Sequence, residues 1–197
     1  MSNMKKVIII GLAVILSALT SIILAYGPNP DITKLQEGDV IFHASNSQQA
    51  PMLRIATASP ITHCGIIIER DGKLYVLEAE GKVQLTPVQT FINRGIGKTY
   101  CVRRPKAKLS SRVKYKSYLG IPYDIKFKFN NNKYYCSELV YDIYKDQFNI
   151  QICEPRPLSD YHTLGMEKEI RRRGMTPDQL MVAPSDLLNA DCFETIR

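Results

Sequence analysis

A predicted β-hairpin over residues 62–79 constrains the fold of this chain more than any other stretch. Thr62 to Glu69 is rich in isoleucine, and Leu74 to Ala79 returns with an apolar alternation. The Asp71-Gly72 dipeptide between them is typical of two-residue hairpin loops. We therefore expect an antiparallel sheet within an α+β domain.

The same hairpin places a histidine and two carboxylates on one face of the sheet. Side chains alternate between faces along a strand, so His63 points away from its neighbour Cys64, which we expect in the core. With Asp71-Gly72 as the loop, ideal pairing sets Glu80 directly opposite His63. Glu78 then lies one diagonal step from the histidine. Either carboxylate could orient the imidazole.

A cysteine stands at a predicted helix start further along the chain. Residues 130–132 are asparagines that break any preceding strand, and apolar residues recur at helical spacing after Cys136. Unpaired N–H groups and the positive dipole end of a helix stabilise a thiolate and lower its pKa below about 8.5. Cysteine, histidine and carboxylate are the groups of nucleophilic thiol catalysis. A buried helix-capping cysteine, a core histidine and surface glutamates are the structural alternatives.

The first 25 residues read as a leader. Lys5 and Lys6 precede an apolar run from Val7 to Ala25 that is long enough to span a bilayer. A cut after Ala25 would leave the large Ile23 at the −3 position. A cleaved signal peptide and an uncleaved N-terminal anchor therefore both stay open. Either one predicts an exported or membrane-anchored protein that acts in the periplasm or outside the cell.

The remainder has the composition of one globular domain, because the chain is 45% hydrophobic and 23% charged. We place a linker at residues 26–34 and a single catalytic domain at residues 35–197. The full chain has a net charge of +7, and without Lys5 and Lys6 of the leader the remainder carries +5, which should attract anionic envelope or membrane surfaces weakly. The densest basic run, residues 171–173, has no interleaved aromatic residues, so we expect no nucleic-acid partner.

Cysteine and histidine usage bounds the chemistry further. Five cysteines in an exported protein leave at least one thiol without an intramolecular partner. Four of them could pair or stay buried, and their pairing is left open: Cys64, Cys101, Cys153 and Cys192. Because there is no C-x-x-C pair and only three histidines, we expect no metal site and no cofactor.

Periodicity and turn residues predict further elements around the hairpin. They are a strand at residues 40–43, a short helix within 45–59, a helix opened by Thr86-Pro87, a strand at 100–103, an amphipathic helix at 109–119, a polar helix near 164–173 and a short segment at 184–188.

Five sequence blocks resemble the circularly permuted NlpC/P60-type papain-like proteins, in particular the YiiX-like amidases and peptidases. In order they are Gly38-Asp39-Val40-Ile41-Phe42, Thr62-His63-Cys64-Gly65-Ile66, Val76-Leu77-Glu78-Ala79, Gly120-Ile121-Pro122-Tyr123-Asp124 and Tyr135-Cys136-Ser137-Glu138-Leu139-Val140. The resemblance covers about residues 35–145, with a weaker signal at 184–187. It implies a permuted papain-like core, in which an antiparallel sheet or partial barrel packs on the helix that carries the nucleophilic cysteine.

By position, the resemblance implies that Cys136 is the nucleophile, His63 the base and Glu78 the third member. Ideal hairpin pairing favours Glu80 instead, unless a bulge or a longer turn shifts the register. Tyr123 and Tyr135 are candidates for a second oxyanion or substrate contact, and packing around the helix start is their other interpretation. Cys64 stands where relatives commonly carry an aliphatic residue, so we expect it to be a harmless core substitution.

These observations predict an extracytoplasmic cysteine hydrolase that cleaves an amide or peptide bond through a thiol acyl-enzyme. Cell-wall peptides and N-acylated amines are the expected substrates. One alternative keeps the site but acts on lipid, as an acyl hydrolase or acyltransferase. Another is a membrane-tethered ligand-binding domain without catalysis.

Overall fold

The computed structural model describes residues 29–197. The predicted leader and the first three residues of the predicted linker lie outside this range. Within the described range, no helix is long and apolar enough to cross a membrane. The end of the linker forms a 3₁₀ turn at Ile32–Lys34, and the Asn29 side chain donates a hydrogen bond to the Lys98 carbonyl at 3.0 Å.

A six-stranded sheet with strand order β4-β3-β2-β1-β5-β8 forms the centre of the fold. Its strands are β1 (Val40–His43), β2 (His63–Arg70), β3 (Lys73–Glu80), β4 (Lys82–Pro87), β5 (Cys101–Pro105) and β8 (Phe193–Ile196). Every neighbouring pair is antiparallel, as the hairpin predicted. β6 (Arg156–Pro157) and β7 (Leu180–Met181) form a separate two-stranded ladder. The predicted α+β fold class is confirmed, with an open sheet whose edges are β4 and β8.

Helices cover both faces of this sheet. They are α1 (Ala50–Thr57), α2 (Val88–Arg94), α3 (Cys136–Phe148), α4 (Glu167–Arg173) and α5 (Pro184–Leu188). Because strand side chains alternate, Cys64 and Ile66 pack with Leu139 of α3 on one face. Ile67 packs with Phe91 of α2 on the other. The strand ends next to the start of α3 are therefore where side chains from both layers can meet.

The hairpin has the register that the sequence predicts. Pairing runs from Arg70 opposite Lys73 to Ile66 opposite Leu77, so the loop is the Asp71-Gly72 dipeptide. Both loop residues have positive φ, at 52° and 69°, as a type I′ turn requires. No bulge intervenes between the loop and the end of the ladder.

The predicted helix at residues 109–119 is wrong, because only Lys116–Tyr118 forms a 3₁₀ turn there. Side chains distant in the sequence accept hydrogen bonds from backbone N–H groups that would donate within a helix. Val113 N–H donates to Glu37 at 2.9 Å and Lys114 N–H donates to Gln147 at 2.8 Å. Long-range hydrogen bonds therefore override the local apolar period.

Two strands of the six-stranded sheet are absent from our sequence prediction, β8 at Phe193–Ile196 and β4 at Lys82–Pro87. Val83-Gln84-Leu85-Thr86 has the right alternation, but we assigned Thr86 as the cap of the following helix. The structure begins α2 after Pro87 with no side-chain cap. Thr86 instead points into the site described below.

Candidate active site

Cys136 is the first residue of α3, as predicted. Two hydrogen bonds hold this helix start in place. Glu138 accepts the Tyr135 N–H at 3.4 Å, and the Ser137 hydroxyl donates to the Val182 carbonyl at 2.7 Å. The first N–H groups of a helix have no intrahelical acceptor, so they are available to stabilise negative charge at Cys136.

His63 and Glu78 form a buried pair beside this cysteine. His63 Nε2 lies 2.6 Å from Glu78 Oε2, and the two side chains are 6% and 0% exposed. This contact leaves Nδ1 as the ring nitrogen available to a thiol. The predicted base and the third residue implied by the family resemblance are therefore brought together.

Gly65 explains why Glu78 reaches the histidine without a change of register. A Cβ at Gly65 would lie 2.7 Å from the Leu77 carbonyl oxygen and 3.2 Å from the Glu78 Cβ. With no side chain there, Glu78 can lean along the diagonal towards His63. The bulge or longer turn that we invoked for Glu78 is therefore not needed, and Glu80 lies exposed at the end of β3.

Three donors converge on the Glu78 carboxylate. Besides His63, Thr86 Oγ1 donates to Oε1 at 2.5 Å and Arg94 forms an ion pair with the same oxygen. Burial alone would raise the pKa of Glu78, but the hydrogen bond from His63 outweighs it with help from Thr86 and Arg94. The pKa falls from 4.5 to about 2. Glu78 is thus a fixed negative charge behind the imidazole.

The Cys136 thiol and the His63 imidazole favour each other's charged forms. Burial would lower the pKa of His63, yet the adjacent Cys136 sulfur and Glu78 raise it from 6.5 to about 10. The pKa of Cys136 is held well below its usual value, first by the neighbouring Cys64 thiol and then, against burial, by His63. Both shifts favour a thiolate–imidazolium pair over a neutral thiol and a neutral imidazole.

A second histidine, which sequence analysis did not single out, packs against the pair. The His43 ring stacks on Phe91 with centroids 4.2 Å apart and lies 5.3 Å from the His63 ring. Burial, and then the positive charge of His63, lower the pKa of His43 to about 3. His43 is therefore uncharged at neutral pH and adds no second positive charge beside His63. Its position on β1 directly opposite His63 was readable only once the strand pairing was known.

An open cleft of about 280 Å³ leads to His63. Its lining includes Leu53, Glu80, Tyr123 and Ile125. Glu80 also lines a second cavity of about 240 Å³ together with Arg94. Glu80 therefore faces these cavities, and the carboxylate on the imidazole is that of Glu78.

The two candidate tyrosines lie in different places. The Tyr123 side chain lines the cleft and lies close to Cys136, and burial raises its pKa well above 10, so it is a hydroxyl donor at neutral pH. Tyr135 is 1% exposed, and its hydroxyl accepts a hydrogen bond from Val182 N–H at 3.1 Å. Its ring packs edge-on against Phe127. This environment favours the packing interpretation for Tyr135.

Cys64 needs a correction. It is buried on the face opposite His63, as alternation predicted. That face, however, is the one against which the start of α3 packs, and the Cys64 thiol interacts with the Cys136 sulfur. Cys64 is therefore part of the site's surroundings and not a neutral core substitution.

The chain is similar to proteins of one family. A family model described as permuted papain-like amidases, the YaeF/YiiX or C92 family, matches residues 34–196. A YiiX protein of Escherichia coli strain K12, described as uncharacterized, is 30% identical over 172 residues, which cover 82% of this chain and 85% of the relative. A crystal structure of YiiX from Escherichia coli O157:H7, described as a metalloprotein, has a TM-score of 0.75 and 30% identity and covers 82% of this chain and 96% of that one.

Proposed function

Because the chain belongs to the C92 family of permuted papain-like amidases, and is thus a cysteine hydrolase, we propose that it cleaves amide bonds outside the cytoplasm with Cys136 as nucleophile. The observation that carries this proposal is the chain of contacts from Cys136 through His63 to the buried Glu78. It supplies a preformed thiolate, a proton donor and a fixed counter-charge in one place.

The proposed reaction begins when the Cys136 sulfur attacks the carbonyl carbon of the substrate. The Cys136 N–H at the helix start and the Tyr123 hydroxyl donate to the developing oxyanion. The His63 imidazolium gives its proton to the amide nitrogen, the C–N bond breaks and the amine leaves a thioester. Neutral His63 then takes a proton from water, which attacks the thioester and releases the acid. Throughout, Glu78 holds the imidazole in place.

The lining of the cleft suggests which groups a substrate carries. Leu53 and Ile125 offer apolar surface, which suits an acyl group. Glu80 lines the same cleft, forms no ion pair with any other described residue and suits a positively charged group on the amine side. We therefore propose N-acylated amines or peptides with a nearby cation, as in cell-wall peptides, as substrates.

A lipid is the alternative substrate for the same site. Ile125 lines the cleft and is 56% exposed, so the site has apolar surface open to solvent. Hydrolysis of acyl-ester vesicles but not of acyl amides or cell-wall peptides would decide for a lipid acyl hydrolase.

Export is proposed from the leader sequence alone. Residues 1–25 combine two lysines with a continuous apolar run, whether they are cleaved or kept as an anchor. Expression of the full chain in a bacterial host, followed by fractionation and N-terminal sequencing, tests the location and the cut after Ala25 together.

No step of this mechanism uses a metal. The solved relative is described as a metalloprotein, but residues 29–197 of this chain contain no group of three or more His, Cys, Asp or Glu side chains that could hold a metal ion. The Glu78 carboxylate beside His63 already accepts hydrogen bonds from the Thr86 hydroxyl and the Arg94 guanidinium.

Selective alkylation tests the reactive thiol. Burial raises the pKa of both Cys101 and Cys153 to about 12, so these thiols stay protonated at neutral pH. We expect substoichiometric iodoacetamide to label Cys136 alone, as read by peptide mass spectrometry, and hydrolysis of an acyl-amide and muropeptide panel to stop in parallel. Equal labelling of all five cysteines would overturn the proposal.

The pH dependence of the same reaction follows from the directions of the two pKa shifts. The pKa of Cys136 is lowered, so its thiolate persists below neutral pH. The pKa of His63 is raised to about 10, so the imidazolium persists until the pH rises through that value. We expect kcat/KM to be flat across neutral pH and to fall near pH 10. A single rise near the ordinary thiol pKa of about 8.5 would contradict the ion pair.

Glu80→Gln tests the substrate orientation. For two acyl amides that differ only in a positive charge on the amine side, we expect KM to rise about 2- to 5-fold for the charged one, the size of an exposed ion pair. The neutral one should be unaffected. Glu69→Gln, an exposed glutamate outside the cleft, is the matched control. Equal effects on both amides would show that Glu80 does not select charge.

A further inference from the structure

Two thiols meet at the candidate active site, and the proposed hydrolysis uses only one of them. Cys64 and Cys136 are 0% and 3% exposed and belong to the same buried cluster. In the structure, each is a free cysteine. Cys64 is therefore a buried thiol that has no role in the proposed hydrolytic mechanism.

The positions of the two cysteines on strand and helix place both side chains in the layer between the sheet and α3. Cys64 is the second residue of β2 and points to the face that α3 covers, whereas Cys136 is the first residue of α3. The ladder between β2 and β3 ends at Ile66 opposite Leu77, so the start of β2 is free of that pairing. Because α3 packs on β2 through this face, both cysteines lie in one buried cluster between the helix and the sheet. The Cys64 side chain is also the first of the groups that lower the pKa of Cys136.

The two thiols differ in protonation. Burial raises the pKa of Cys64 well above its usual value, whereas the pKa of Cys136 is lowered. One sulfur is thus a thiolate that reacts with an oxidant, and its neighbour remains a thiol. Sites of this composition form a disulfide after the first sulfur has been oxidised.

We propose that Cys64 and Cys136 form a site of reversible oxidation, at which a peroxide oxidises Cys136 and Cys64 then closes a disulfide with it. The proposal rests on the reactive thiol assigned to Cys136 under the proposed function. Its consequence is an enzyme that is switched off by peroxide and protected from irreversible damage.

Both steps balance. The Cys136 thiolate attacks one oxygen of the peroxide, the O–O bond breaks, and Cys136 becomes a sulfenic acid while hydroxide or alkoxide leaves. The Cys64 sulfur then attacks the Cys136 sulfur, the S–S bond forms, and the sulfenic oxygen leaves with the Cys64 proton as water. An external dithiol reverses the disulfide by exchange and restores both thiols.

The test treats the full chain with hydrogen peroxide, maps peptides without reduction and then adds dithiothreitol. In the wild type we expect a Cys64–Cys136 disulfide peptide, loss of hydrolysis and nearly full recovery. In Cys64→Ala we expect Cys136 as sulfinic or sulfonic acid and about tenfold less recovery, because no thiol intercepts the sulfenic acid. Cys101→Ala, another buried cysteine, should recover like the wild type.

Two results would overturn the inference. One is an oxidised Cys136 in the wild type with no Cys64–Cys136 peptide. The other is equal recovery of wild type and Cys64→Ala. Cys64→Val, which keeps an apolar side chain in the buried cluster, replaces the alanine variant if that fails to fold. The peptide map needs no substrate, so a missing disulfide in an active hydrolase is distinguishable from a chain that hydrolyses nothing.

Discussion

Replacing Cys136 with alanine is expected to reduce kcat/KM for acyl-amide hydrolysis by about 10⁴-fold or more, the usual effect of removing a nucleophile from such a triad. His63→Ala should have an effect of similar size, because the thiolate, the leaving-group proton and the water-activating base all depend on that imidazole. The double variant should be no worse than either single one, since groups that act as a unit are not additive.

The fold should survive both substitutions. Cys136→Ala removes one sulfur atom at a helix start whose hydrogen bonds come from Ser137 and Glu138. Far-UV circular dichroism and thermal unfolding check this, and Cys192→Ala, a half-buried cysteine remote from the cleft lining, is the control. Retained hydrolysis in Cys136→Ala would exclude the thiol mechanism. If only His63→Ala retained hydrolysis, a residue other than His63 would be the general base.

The hairpin shows what a sequence can establish about such a site. A two-residue Asp71-Gly72 loop fixes the register locally, so the opposed pairs follow from counting alone. Counting alone favoured Glu80, the residue opposite His63, because it takes no account of the space that Gly65 leaves for Glu78. The ordered blocks of the family resemblance favoured Glu78, and the structure supplies the physical reason.

Residues that contact Glu78 but lie outside the five sequence blocks could not be predicted by counting along the hairpin. Arg94 and Thr86 reach Glu78 from the end of α2 and from β4, two elements whose placement depends on the whole sheet. Distant contacts also explain why the helix predicted at residues 109–119 is absent, since the Val113 N–H donates a hydrogen bond to Glu37. Long-range hydrogen bonds leave no periodic signal in the sequence.

Cys64 illustrates a third case. Alternation correctly placed it in the core, but a core position is harmless only if its neighbours are inert. Its neighbour is the start of α3, and only the packing of that helix on β2 shows that the side chain touches the reactive sulfur. One-dimensional patterns assign a face of the sheet, while chemistry depends on what covers that face.

Replacing Glu78 with glutamine should lower kcat/KM by about 10²- to 10⁴-fold, with a much smaller effect on stability. The amide keeps the volume of the carboxylate but removes the negative charge behind His63, so the pKa of the imidazole should fall. Because this pKa lies at about 10 in the wild type, the alkaline limb of the pH profile should move to lower pH. A purely structural role for Glu78 would leave that limb in place.

Glu78→Ala measures how much Glu78 contributes to the stability of the fold, apart from its effect on the imidazole. It leaves Arg94, Thr86 and His63 without their common acceptor, and breaking a fully buried ion pair costs about 3–5 kcal/mol. Because the Arg94 side chain is 34% exposed and can turn to water, we expect a loss of about 2–4 kcal/mol in urea unfolding. Glu194→Gln, on an exposed part of β8, should change neither activity nor stability. If Glu78→Gln kept both wild-type activity and the alkaline limb near pH 10, the imidazole would need no carboxylate, and Glu78 would serve only as the partner of Arg94 and Thr86.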